Sequence, residues 1–285
     1  MRLHLRKLSR FLLASSILAI SLSPIHAGAL STFKVSESKV WGHTYAGKSQ
    51  GVPSTRPPKV AYVEAKARFV VNYKNFPEWA KKDFQAAVDI WSQYFSSVVP
   101  IKIDATFGRS ASYGVLGSAR PGNYYSGFDG APDQSLWYPS ALANALAGKD
   151  LEPDNPEMII QVNSAANWNT RNDGTPKSTE YDLQSVFLHE IAHGLGFLST
   201  DSYDSFFGYG TIEQPTPYAA YAQLPDGRRL SDLPSPSIEL GKALTSPLVW
   251  SGPSGTAANG GAKIILYTPS RYEEGSSVDR KSTRL

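Results

Sequence analysis

The sequence predicts an α+β fold, and three observations carry that reading. Strand-like and helix-like patterns alternate through the first half of the chain. Gly-, Pro-, Ser- and Tyr-rich sequence dominates from residue 199 onward, and no internal repeat is present. At 285 residues the chain is long enough for one sizeable domain or two small ones with a real core. Apolar residues make up 41% and charged residues 19%, a balance that excludes a disordered chain.

The N-terminus has the order of a secretory signal peptide over residues 1–29. Arg2, Arg6, Lys7 and Arg10 precede a short apolar run from Phe11 to Leu22, and Ala27 and Ala29 supply the small residues of a cleavage site. The run is too short to span a bilayer, and no later segment is long and apolar enough to do so. Residues 30–60 are rich in Ser, Gly, Lys and Pro and end in PSTRPPK, which reads as a linker or pro-segment with little core of its own.

RFVVNY (68–73) reads as a strand. The helix that follows starts near Pro77, because Phe84, Val88, Trp91 and Phe95 recur at helical spacing. PIKIDATF then alternates Ile101, Ile103, Ala105 and Phe107 with polar residues, a half-buried strand. Residues 108–136 read as loop-rich. SALANALAG (140–148) is a short helix closed by Gly148, and MIIQVNS (158–164) is a third strand. Asp182 reads as an N-cap for the next helix. Beyond 199, AKIILYTP (262–269) is the clear strand candidate.

Charge narrows the function. The formal net charge is +3, but the signal-like segment contributes a net +4 and the last seven residues a net +2, so residues 30–278 carry −3. Nucleic-acid binding therefore has no electrostatic footprint. The chain has no cysteine, so an exported form rests on its core, with or without metal, rather than on disulfides. It also has no cysteine thiolate to block a zinc site in a precursor.

The chemistry concentrates in VFLHEIAHGLGF (186–197). On a helix, residues i and i+4 share a face one turn apart, so His189 and His193 can direct two imidazole nitrogens at one metal. Glu190, offset by one residue, borders the metal without binding it. There it can act as general base toward a zinc-bound water, whose hydroxide attacks a peptide carbonyl. Leu183, Val186, Phe187, Leu188, Ile191, Ala192 and Leu195 surround the helix on all sides, which predicts a buried helix. Charged groups inside such a helix need a strong partner, and zinc supplies one. The plain alternative is a chance triplet of ordinary core side chains.

HEIAHGLGF resembles the active-site helix of metzincin zinc proteases, with Gly196 at the glycine where that helix ends. The family's third-ligand position falls on Ser199, which is no zinc ligand. The leishmanolysin-like metzincins are more similar: their helix reads HExAHxLGFS, and HEIAHGLGFLS fits it with one inserted residue. The resemblance implies a mixed sheet, the active-site helix and an irregular C-terminal part that is incomplete here. It also implies a third histidine in a GSSxSH-like segment, of which this chain has Gly275-Ser276-Ser277-Val278. Residues 279–285 read DRKSTRL, the translation of a widely used sequencing adapter, so they are expected to be a non-native tail. Other candidates for the third ligand are Glu213, Asp201 and Asp204, with His43 as a cap in a precursor. MIIQVNS would lie near the strand that pairs with an extended substrate, and Trp168, Tyr181 and Phe197 would line the cleft or pack in the core.

The expected organisation is thus a signal peptide (1–29), a linker or pro-segment (30–60) and a catalytic subdomain with the zinc helix (61–200). The start of a C-terminal subdomain or insertion (201–278) and the tail follow. The expected function is that of a secreted zinc metalloendopeptidase, extracellular or periplasmic, acting on protein or peptide substrates. It would use Zn2+ held by His189 and His193, with Glu190 as base. A zinc peptidase with a carboxylate third ligand is the near alternative. A catalytically silent exported module, binding peptides or glycans through Tyr124, Tyr125, Trp137, Tyr138, Tyr218 and Tyr221, is the alternative of a different class.

Overall fold

Alternation in the strands and a helical apolar stripe decide the architecture. The structure, a computed structural model, describes residues 33–46, 65–268, 271–273 and 278–280. The signal-like segment, PSTRPPK and residues 275–277 lie outside them. In chain order the first half contains β1 (Lys34–Glu37), β2 (Gly42–Tyr45), β3 (Phe69–Lys74), α1 (Glu78–Tyr94), β4 (Ile101–Gly108) and β5 (Val115–Pro121). There follow β6 (Asn123–Ser126), β7 (Tyr138–Pro139), α2 (Ser140–Ala147), β8 (Met158–Asn163) and α3 (Leu183–Gly194). The fold is mixed α+β, as the alternating patterns predict.

The central sheet has the order β2-β5-β8-β4-β3. Strands β3, β4 and β8 run parallel, while β5 is antiparallel to β8 and β2 antiparallel to β5. Register puts Phe69, Val71 and Tyr73 beside Ile101, Ile103 and Ala105, and it puts Ile103, Ala105 and Phe107 beside Met158, Ile160 and Val162. Because side chains alternate faces, this one face carries the core, against α1 and α3. Phe84 of α1 and Phe187 of α3 meet in it with ring centroids 4.5 Å apart.

Across the sheet the inward side chains shrink. On β5 they are Gly117 and Ala119, and opposite them on β2 stand Thr44 and Gly42. The small residues let α3 come close to this end of the sheet. Gly194 closes the gap from the helix side, since a Cβ there would fall 2.6 Å from the Met158 sulfur.

Two expectations need correction. The described part of the stretch read as a linker or pro-segment, 33–46, is more ordered than its composition suggests: β1 pairs with β6 and β2 with β5, so both are built into sheets. Their partners are some eighty residues away, and backbone pairing leaves little trace in a Ser-, Gly- and Lys-rich stretch. The loop-rich reading of 108–136 likewise missed β5, whose sequence VLGSARP lacks alternation because both its faces are covered.

The second half is more regular than its composition suggests. It contains β9 (Asp201–Asp204), β10 (Tyr209–Ile212), β11 (Ala222–Gln223), α4 (Ile238–Leu244), β12 (Val249–Trp250), α5 (Pro253–Ala258), β13 (Ile264–Tyr267) and β14 (Asp279–Arg280). These strands have two to four residues each, too short for periodicity to show. They form a β9-β10 hairpin and an antiparallel β11-β12-β13-β14 sheet around a second core that includes Leu230, Leu240, Leu244, Leu248 and Leu266. The first two residues of the expected tail, Asp279 and Arg280, pair through their backbone with β13. Among the described residues, no helix is long and apolar enough to cross a membrane.

Candidate active site

The helix carrying the motif is fixed at both ends. At its start the Asp182 carboxylate, fully buried, accepts the Ser185 backbone N–H at 3.2 Å and the Ser185 hydroxyl at 2.5 Å. This is the N-cap the sequence predicts. At its end Gly196 adopts φ +106°, and its N–H donates to His193 O while Phe197 N–H donates to Ala192 O. These two bonds are the Schellman pattern that needs a left-handed residue just past the helix. Space demands glycine as well, since a Cβ would fall 2.6 Å from Pro139 Cγ. Halfway along, the Trp91 indole N–H donates to Leu188 O at 3.0 Å and pins α3 to α1.

That helix brings His189, Glu190 and His193 together. The two imidazoles stand 4.5 Å apart between centroids at 90° to one another. Glu190 and His193 are buried and His189 is half-buried. The turn at Gly196 folds the chain back so that Phe197 O lies 2.9 Å from His193 Nδ1. A carbonyl can only accept, so Nδ1 carries the hydrogen, and in the neutral ring Nε2 is the lone-pair nitrogen. Such a carbonyl partner is the usual way a metal-ligating histidine is oriented. Phe197 itself is partly exposed, close to Trp91 and Tyr218.

The sheet covers the triplet from the other side. A Cβ on Gly117 would sit 2.9 Å from Glu190 Oε1 and from Val186 Cγ1. The Thr44 hydroxyl donates to Glu190 Oε1 at 2.6 Å. A Cβ on Gly42 would come within 2.3 Å of the His193 ring. Gly42, Thr44, Gly117 and the Phe197 carbonyl are the site residues that sequence reasoning missed. Gly196 in HGLGF was the one visible signal, and it pointed only to a bend.

The remaining candidates lie elsewhere. His43 faces away from Gly42 and Thr44, with Nδ1 2.7 Å from Ser118 Oγ. Asp201 is buried on β9, where Ser199 donates its hydroxyl at 2.7 Å, and burial pushes its carboxyl up to about 6. Asp204 accepts the backbone N–H of Phe206 and Phe207, and Glu213 accepts the Ser202 hydroxyl. No group of three His, Asp or Glu residues among the described residues is placed to hold a metal ion. Ser199 gives its hydroxyl to Asp201, and residues 275–277 of the expected third-ligand segment lie outside the described residues.

Strand β8 is flanked by β4 and β5, and it is β5 that faces β2. Trp168 is buried in the main core, with Tyr181 packed against it. Tyr181 also lines a cavity of about 510 Å3 with Ala46, Tyr113, Val115, Leu116, Asn163 and Ala166. Of the aromatic residues weighed as a binding surface, Tyr124, Tyr125, Tyr138 and Tyr218 are buried.

The family described as SPBPB7E8-like matches residues 74–214, a stretch that holds α1, β4, β5, β8 and the whole of α3. No curated protein and no solved structure matches the chain.

Proposed function

We propose that this protein is an exported zinc metalloendopeptidase of the leishmanolysin-like metzincin kind. One observation carries the reading: two imidazoles on successive helical turns, one oriented by a backbone carbonyl on its Nδ1, with a buried carboxylate on the same helix next to the first of them in sequence. The donor set fits zinc in type and spacing, with His189 and His193 as the residues that would hold it. Bound zinc supplies Lewis acidity, which polarises a carbonyl and acidifies a water.

The chain's own residues do the rest. Glu190 takes a proton from the attacking water and returns it to the departing amide nitrogen. Val186 and Gly117 of β5 lie against that carboxylate and keep bulk water from it, which strengthens each polar contact it makes. Phe197 O keeps His193 in one tautomer and one orientation.

The test pairs metal content with turnover on an unstructured protein such as casein. Glu190→Gln should lower kcat by about 10²–10⁴ while bound zinc, measured by mass spectrometry, stays at the wild-type level. His193→Ala should lose the zinc as well. A wild-type chain that takes up no zinc, or a Glu190→Gln variant that cleaves as fast as wild type, would sink the proposal.

A further inference from the structure

The segment Gly42–Ala46 is placed where it can obstruct the site, and nothing in the proposed chemistry uses it. It lies antiparallel on β5, the pairing that an extended peptide adopts when it adds to a sheet edge. Its inward residues meet the site: Gly42 lies against the His193 ring and Thr44 donates to Glu190 Oε1 at 2.6 Å. The pairing continues where Ala46 N–H donates to Gly114 O at 2.7 Å, and both residues line the 510 Å3 cavity.

The same strand is weakly held. It has four residues, its register with β5 shifts between Thr44 and Tyr45, and Tyr45 is exposed. A glycine and a threonine bury little apolar surface, so few kcal/mol of hydrophobic stabilisation oppose its departure. β5 and β8 keep their own pairing without it.

We propose that Gly42–Ala46 is an internal blocking strand, which holds the β5 edge above Glu190 and His193 and must leave before a peptide can pair there. The inference rests on the peptidase reading for what the blocked edge is for. Blocking here is steric and through Glu190, and it requires no residue of the strand to bind metal.

The test uses the full chain with Gly42→Val, whose side chain cannot share space with the His193 ring, and Thr44→Ala, which only removes the bond to Glu190. Three readouts are taken: hydrogen exchange of the β5 amides, zinc content, and hydrolysis of an internally quenched peptide. Gly42→Val should speed β5 exchange at least tenfold with β3 and α1 unchanged, and raise hydrolysis at least tenfold. Thr44→Ala should do both to a smaller extent, about threefold. A synthetic VWGHTYA peptide should reverse both effects.

If β5 exchange is unchanged in both variants, the strand is a permanent part of the sheet and the inference falls. It also falls if both variants keep their zinc, open β5 and cleave no faster than an active wild type. Should Gly42→Val fail to fold, Thr44→Ala decides alone by the same criteria. If β5 opens and VWGHTYA rebinds while no form cleaves peptide, the strand is supported as a displaceable occupant and the peptidase reading is what fails.

Discussion

Asp201 shows how one buried carboxylate sets a pH dependence. Burial is the main reason its carboxyl is raised to about 6, with the negative Glu213 adding to it and the Ser199 hydroxyl opposing. The folded state therefore takes up a proton between about pH 4 and about pH 6 that the unfolded chain does not, so folding is favoured by acid. The contribution is complete below about pH 4 and is lost as the pH rises through about 6. An offset of that size is worth about 3 kcal/mol for a fully buried group. Asp201→Asn should raise stability at pH 7 by up to about that amount and flatten urea midpoints between pH 4 and 7. A midpoint curve unchanged by the substitution would mean that Asp201 stays ionised in the fold. The sequence offered Asp201 as a metal ligand. Its surroundings are tertiary: the Tyr272 hydroxyl, seventy-one residues away, donates to the Asp201 backbone carbonyl, a contact that no local pattern reveals.

At the scale of elements, α3 was the most legible part of the chain, because its cap, its motif and its terminal glycine all lie within fifteen residues of sequence. Asp182→Ala removes the cap and should cost about 1 kcal/mol in chemical denaturation. Gly196→Ala should cost more, about 1–3 kcal/mol, since it adds left-handed strain to a clash with Pro139. It should also weaken zinc binding, because Phe197 O would shift from His193 Nδ1. Unchanged zinc affinity in a destabilised Gly196→Ala variant would show that the carbonyl does not orient the ring. Strands β1 and β2 were illegible for a different reason. What makes them strands is a partner far along the chain, and short polar strands carry no periodicity of their own.

For the molecule as a whole, separate cores divide the stability. Phe84→Ala, in the core between the sheet and α1 and α3, should cost about 3–5 kcal/mol. Leu240→Ala should cost about 2–5 kcal/mol, and in native-state hydrogen exchange it should expose α4 and β10 while β3, β4 and β8 stay protected. Uniform exposure of both regions would mean that they unfold as one unit. The row formed by Gly117, Ala119 and Gly194 has a consequence for how this protein tolerates change. In a saturation scan, large core positions usually accept another large apolar residue at modest cost. Here the steepest losses should fall on some of the smallest side chains, which supply almost no contact of their own. Their contribution is the room they leave, and any added methyl group fills it.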